Sequence, residues 1–201
     1  MKVTVIGLGP GGGADLTGRA RAALEACDLI VGYTAYIDLV RADFPQKETL
    51  EVDRCRAAVE AARTGKDVAV VCSGDSGVYG MAGLIYEVAQ EYDPIEIEVV
   101  PGITAACGGA AVLGAPLTHD FAVVSLSDLL TPWEKITARL TAAAQADFVL
   151  CLYNPASHSR PDYLQRACDI LLSAGKDPAT VCGITRRTCS PPCSSATARP
   201  R

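Results

Sequence analysis

The chain has 201 residues, 49% of them apolar and 20% charged, with a formal net charge of -5. That length accommodates one large domain or two small ones, and it buries enough surface to fold without disulfide or metal staples. An ordinary apolar fraction excludes wholesale disorder, and the acidic balance argues against a nucleic-acid binder, which presents a basic face.

Val3 to Leu8 reads as a strand directly behind Met1 and Lys2. No charged leader, cleavage site or long apolar run is visible, so neither a signal peptide nor a transmembrane helix is expected, and a cytoplasmic location is. Thr17–Cys27 has the spacing of a helix, with Thr17 as N-cap and Ala20, Ala23, Leu24 and Cys27 on one face. Leu29–Val31 is a short strand, Cys55–Arg63 a helix stopping at Gly65, and Asp67–Cys72 an apolar, buried strand. Val78–Tyr92 reads as a helix, Ile95–Val100 as an alternating strand, and Thr104–Leu113 as a helix of small residues. Strands joined by helical crossovers imply an α/β fold with a mainly parallel sheet.

The turn residues Gly114-Ala115-Pro116 open a second block. There Phe121–Leu126 reads as a strand, Pro132–Ala144 as a helix, Phe148–Tyr153 as a strand, Pro161–Ser173 as a helix and Thr180–Ile184 as a further strand. The expected domains are therefore residues 1–116 and 117–184. Residues 185–201, TRRTCSPPCSSATARPR, carry three prolines and four arginines with almost nothing to pack, and are expected to be disordered.

Seven of the nine cysteines (27, 55, 72, 107, 151, 168 and 182) stand singly in regular segments at no zinc spacing, and read as buried free thiols. Cys189 and Cys193 form a pair short of further ligands, so no metal is expected.

Three glycine-bearing loops follow strands. Gly7, Gly9 and Gly12 formally match a dinucleotide pattern. In such a site the helix starts inside the glycine run and aims its N-terminus at the pyrophosphate. Here Pro10 interrupts the run, the helix waits until about Thr17, and Gly32-Tyr33 stands where an acidic residue belongs. A nicotinamide or flavin dinucleotide is thus disfavoured. What remains is close approach of another ligand to the backbone, or a plain flexible turn.

The second loop is Ser73-Gly74-Asp75-Ser76-Gly77-Val78. Ligands on open α/β sheets bind at the carboxyl ends of the strands, so both loops line one edge. Asp75 suits an amine, a ribose hydroxyl or a cation; alternatively it only caps the helix expected from Val78. The third loop is Pro101-Gly102-Ile103-Thr104-Ala105, where Thr104 caps a helix and faces the same edge. In the second block Leu152-Tyr153-Asn154-Pro155 ends a strand, and His119-Asp120 lies at the domain junction with either a structural or a catalytic role.

In order, GLGPGG, GYTAYIDLV, SGDSGVYGMAGLIYEV, VVPGITAACGGAAVLGAPLTHDFAVVSLSDLLTPWE and DFVLCLYNPASHSRPDYLQRACDIL resemble the tetrapyrrole (corrin/porphyrin) methylases over about residues 2–184. The resemblance implies two α/β domains, an N-terminal mainly parallel sheet and a C-terminal mixed sheet, with S-adenosyl-L-methionine folded in the cleft between them. It implies a homodimer acting on a tetrapyrrole, methylating C17 of precorrin-3B in cobalamin biosynthesis with ring contraction to precorrin-4. Position by position, the methyl donor is expected at Pro10, Ser73, Gly74, Asp75, Val78, Thr104, Ala105 and Asn154. Candidate acid–base residues are His119, Asp75 and Tyr33.

Arg54 and Arg56 are candidates for the substrate carboxylates, with Lys47 and Arg160 in other loops, against the alternative of plain surface cations. The family continues beyond Ile184 with several more strands. The Pro/Ser/Arg end here reads as truncated or frameshifted, with an incomplete second sheet and weak or absent methyl transfer expected. The alternatives are a non-catalytic family remnant, a tetrapyrrole methylase acting on another ring carbon, and a dehydrogenase using the glycine run.

Overall fold

The computed structural model describes residues 2–11, 13–51, 54–155, 157 and 160–179, the side chain of Arg54 excepted. The expected strand at 180–184 and the tail at 185–201 lie outside these residues. The described chain falls into two compact units, one through Gly108 and one from Gly109 onward.

The first unit is a five-stranded sheet in the order β3-β2-β4-β1-β5. Its strands are β1 (Lys2–Gly7), β2 (Leu29–Val31), β3 (Glu48–Leu50), β4 (Asp67–Cys72) and β5 (Glu96–Val100). Every pairing is parallel. A parallel sheet is covered on both faces, which is why β1 and β4 read as nearly unbroken apolar runs. Side chains alternate across the pleat, and the two faces bury different sets. On one face Val3, Val5, Val31, Val68 and Val70 pack with Ala58 and Ala62 of α3 (Arg54–Arg63) and with Ile85 of α4 (Ala82–Ala89). On the other, Ile6, Ile30, Ala69 and Val71 pack with Ala20 and Leu24 of α1 (Gly18–Ala26) and with Ile37 and Val40 of α2 (Thr34–Arg41).

Thr17 caps α1 as expected, its Oγ1 accepting the Ala20 N–H at 3.1 Å. Helix α2 and strand β3 were not anticipated. The eight residues of α2 directly follow Gly32-Tyr33 and bury only Ile37 and Val40, and three residues are too few for β3 to show a period. Helix α4 starts at Ala82, not at Val78. The segment before it turns through Tyr79, whose φ of 51° is incompatible with a right-handed helix. The small-residue helix α5 (Ala105–Val112) starts one residue later than expected.

The second unit pairs β6 (Phe121–Ser125) with β7 (Val149–Tyr153) in parallel. Helices α6 (Trp133–Gln145) and α7 (Tyr163–Ser173) cover them, burying Val124, Leu126, Ile136, Leu140 and Ala167. Pro132 precedes α6, where its missing N–H costs nothing.

Candidate functional site

At the carboxyl edge of the first sheet the loops after β1, β4 and β5 are locked to one another through backbone. Gly9 and Gly74 exchange both amide hydrogen bonds, at 3.0 and 2.9 Å, and both have positive φ, 75° and 66°. A Cβ on Gly7 would lie 2.6 Å from the Gly102 nitrogen and 2.6 Å from the Gly74 carbonyl oxygen. Real Cβ atoms do not come that close, so the three loops share a floor only glycine can make. The glycine run therefore serves loop-to-loop packing, and α1 begins only at Gly18, beyond a short turn of 3-10 helix at Gly13–Asp15. That geometry is unlike a dinucleotide loop, in which the run itself opens the helix.

Asp75 is the polar centre of this floor. One carboxylate oxygen accepts the N–H groups of Gly77 and Val78 at 2.8 and 3.1 Å, and the other accepts that of Gly102 at 3.0 Å. It fastens the β4 loop to the β5 loop and caps the turn before α4, rather than the helix itself. Beneath it Ser76 is fully buried, its hydroxyl donating to the Val100 carbonyl at 3.0 Å. Pro10 is exposed and faces α5 at Gly108, where an added Cβ would come within 2.7 Å of its ring. The Thr104 carbonyl accepts the Gly108 N–H at 3.0 Å and so begins α5, with Ala105 exposed at its first position. Pro10, Ser73, Gly74, Asp75, Val78, Thr104 and Ala105 thus all belong to the loops of one sheet edge.

Tyr33 follows β2 at the same edge. It is 55% exposed, and its ring meets that of Tyr36 edge-on at 5.9 Å. Arg56 pairs with Glu91 at 2.7 Å on the surface, and hydrogen bonds to Tyr92 and Glu91 hold its guanidinium more firmly protonated than usual. The side chain of Arg54 is outside the described set. Lys47 donates to the carbonyls of Glu25 and Cys27, both at 2.6 Å.

In the second unit Asn154 follows β7 with φ 50°, and its Nδ2 donates to Ser125 Oγ at the end of β6, 2.9 Å away. His119 is exposed in the turns before β6. Sequence reasoning missed a polar cluster at this end of the unit. Asp128 accepts the Tyr163 hydroxyl at 2.5 Å and pairs with Arg160 at 3.4 Å. That hydroxyl, helped by the charges of Arg160 and Arg166, holds the Asp128 carboxyl below the usual carboxylate range, and Asp128 in turn pushes the Tyr163 phenol up. Arg166 lies over the rings of Trp133 and Tyr163, 4.1 and 4.8 Å from their centroids. The available signal was the spacing of Tyr163 and Arg166 on one helix face, three residues apart.

Cys27, Cys55 and Cys72 are buried free thiols, whereas Cys107 is exposed and Cys151 and Cys168 are intermediate. Burial pushes the Cys27 thiol up. Cys182, Cys189 and Cys193 lie outside the described residues. Among those residues no three His, Cys, Asp or Glu side chains gather as a metal set, and no helix is long and apolar enough to cross a membrane.

Residues 2–191 match the family model of the Tetrapyrrole (Corrin/Porphyrin) Methylases. The chain is 47% identical to a probable cobalt-factor III C(17)-methyltransferase of Salmonella typhimurium, covering 92% of this chain and 79% of that protein. It is 46% identical to a cobalt-factor III methyltransferase of Priestia megaterium, covering 92% of this chain but only 36% of that longer protein. Among solved structures, that of the methyltransferase CobJ superposes with a TM-score of 0.79 at 39% identity, over 87% of this chain and 76% of that one. With the glycine-locked strand-end loops, a parallel N-terminal sheet and a match across nearly its whole length, the chain belongs to the tetrapyrrole (corrin/porphyrin) methylase family.

Proposed function

We propose that the chain is an S-adenosyl-L-methionine-dependent methyltransferase of corrin-ring biosynthesis that methylates C17 of the macrocycle, with ring contraction. The convergence of the loops at Pro10, Ser73–Asp75 and Gly102–Ala105 on one sheet edge carries this reading, because those are the donor positions the family resemblance names. The residues fit such a donor. Gly74, where an added Cβ would meet nothing nearer than 3.7 Å, leaves the backbone open to close approach, and Asp75 supplies a fixed negative charge beside it. When bound, the donor supplies a methyl group on a sulfonium for in-line transfer to a ring carbon. The chain's part is to hold and orient, and positioning alone is worth about 7–11 kcal/mol of barrier.

Ring contraction also needs a proton acceptor or donor near the macrocycle oxygens. Three amide donors already occupy Asp75, which supports a holding role for it and leaves His119 and Tyr33 as the proton-handling candidates. Arg54 and Arg56 remain candidates for the substrate carboxylates. The Arg56–Glu91 pair is exposed, and such pairs are weak enough to exchange. The domain scheme 1–116 and 117–184, the homodimer, a cytoplasmic location and a donor-binding role for Asn154 belong to the same proposal. Relatives named for cobalt-factor III favour the cobalt-bearing macrocycle over precorrin-3B as substrate.

Calorimetric titration with S-adenosylhomocysteine and with NADH tests the donor site: the first binds and the second does not. Binding of NADH alone would overturn the reading in favour of a dehydrogenase. Transfer of labelled methyl to cobalt-factor III or to precorrin-3B then decides the substrate. Donor binding with no transfer to either would mean a non-catalytic remnant.

A further inference from the structure

At one end of the second unit two arginines, Arg160 and Arg166, gather around the Asp128 carboxylate, while Asp162 and Glu134 stand exposed at the starts of α7 and α6. Asp128 lies three residues beyond β6, Arg160 follows β7, and Tyr163 and Arg166 sit on the first turn of α7. All of them therefore stand at the carboxyl end of the β6–β7 pair, where α/β sheets take ligands. Arg160 is held from two sides, by Ser157 Oγ at 3.0 Å and by Asp128 at 3.4 Å, and its side chain is only 14% exposed. Arg166 is held differently. Its guanidinium rests on the faces of Trp133 and Tyr163, and among the described residues it forms no ion pair. Both arginines act on Asp128, and Arg166 is fixed by aromatic faces beside the Tyr163 hydroxyl, an arrangement that leaves most of the five N–H donors of a guanidinium for bidentate pairing. Leu129 and Leu130 follow Asp128 directly and are 78% and 98% exposed, an apolar strip beside the charge.

We propose that Arg166, buttressed by Trp133 and Tyr163 and backed by the Arg160–Asp128 pair, is a carboxylate subsite for an acidic side chain of the macrocycle, with Leu129 and Leu130 against its apolar periphery. This rests on the reading of the chain as a tetrapyrrole methyltransferase, and it adds a site distinct from the candidate arginines at 54 and 56. A stacked arginine selects a planar carboxylate over its ester, because the ester offers no charge and accepts fewer hydrogen bonds.

Trp133 is the chain's one tryptophan and lies against Arg166, so its fluorescence reads the site. The probe is uroporphyrin, a tetrapyrrole polycarboxylate, titrated against its methyl ester, with S-adenosylhomocysteine titrated in parallel. Arg166→Gln should weaken uroporphyrin binding about tenfold, the lower end for losing a hydrogen-bonded charge partner. Arg166→Lys should fall between, keeping the charge and losing the fork. Ester binding and S-adenosylhomocysteine affinity should be the same in all three proteins. Equal uroporphyrin affinity in wild type and Arg166→Gln overturns the proposal, as does a wild type that does not bind uroporphyrin. A variant that loses the donor analogue as well shows that Arg166 only supports the fold, which also overturns it. Failure of the donor analogue to bind the wild type would instead sink the methyltransferase reading, and the uroporphyrin comparison would still report on Arg166.

Discussion

The Asp75 carboxylate and the Gly102 amide, 27 residues apart in sequence, meet at 3.0 Å and tie the loop after β4 to the loop after β5. Together with the Gly77 and Val78 amides, this makes one side chain the organiser of three backbone donors. Asp75→Ala should lower stability by about 1–3 kcal/mol, because three backbone amides, two of them partly buried, lose a charged acceptor. Asp75→Asn keeps one carbonyl oxygen and should cost less. Urea midpoints measure this, and S-adenosylhomocysteine affinity should fall with the same ranking. An Asp75→Ala protein as stable as wild type would show that water replaces the carboxylate without penalty.

Two glycines provide opposite outcomes for one kind of substitution. Gly7→Ala forces a Cβ against the Gly102 and Gly74 backbones and should destabilise by at least about 1–3 kcal/mol, the usual cost of overpacking. Gly83 lies inside α4, where an added Cβ would meet no atom within 4 Å. Gly83→Ala should stabilise by about 0.5–1 kcal/mol through the helix propensity of alanine. Thermal melts of the pair decide it, and a stabilised Gly7→Ala would contradict the close approach of the three loops.

Glu98 joins Arg19 at 2.7 Å and Lys2 at 2.9 Å on β5, and these hydrogen bonds, Arg19's first, hold its carboxyl below the usual range. A depressed folded value means that the pairs stabilise the fold fully above the unfolded carboxylate value of about 4.3. That contribution fades as pH falls through the folded value. Lys2 runs the other way: raised chiefly by the Glu98 hydrogen bond, it stabilises below the ordinary lysine range and the gain is lost as pH rises through the folded value. All three side chains are partly exposed, so the effect should stay within about 1 kcal/mol. The stability gap between wild type and Glu98→Gln should therefore begin to close as pH falls to the unfolded carboxylate value of about 4.3, be lost below the folded value, and shrink in high salt. A gap independent of pH would show that the pairs contribute nothing.

Much of the fold was legible because burial leaves a periodic trace. Thr17 with Ala20, Leu24 and Cys27 announced α1, and the apolar runs of β1 and β4 announced a sheet covered on both sides. What stayed hidden was short or locally overridden. Helix α2 shows only Ile37 and Val40 buried, a single apolar step. The start of α4 was displaced because Asp75 bends the chain at Gly77 and Val78, a tertiary demand that helix propensity does not encode. The strand-end loops of the candidate site were legible as glycine clusters. That the glycines serve one another's backbones was not, since their contacts span β1, β4 and β5. The Arg166 stack escaped for the same reason: Trp133 and Tyr163 come from different helices, and their rings meet at 4.5 Å only after folding.

Strand β1 lies between β4 and β5, and Lys2 is in register with Asp67 on one side and Glu96 on the other. On the ribosome this strand emerges well before either neighbour. Until residues near 100 have been made, Val3, Val5, Ile6 and the following Leu8 have no complete sheet to enter, although all four end up in the core. Pairings so far apart in sequence are slow to close, and an apolar strand left waiting is a site for chaperone capture or aggregation. The order of synthesis thus makes β1 the sheet's most vulnerable strand during birth and one of its most protected afterwards.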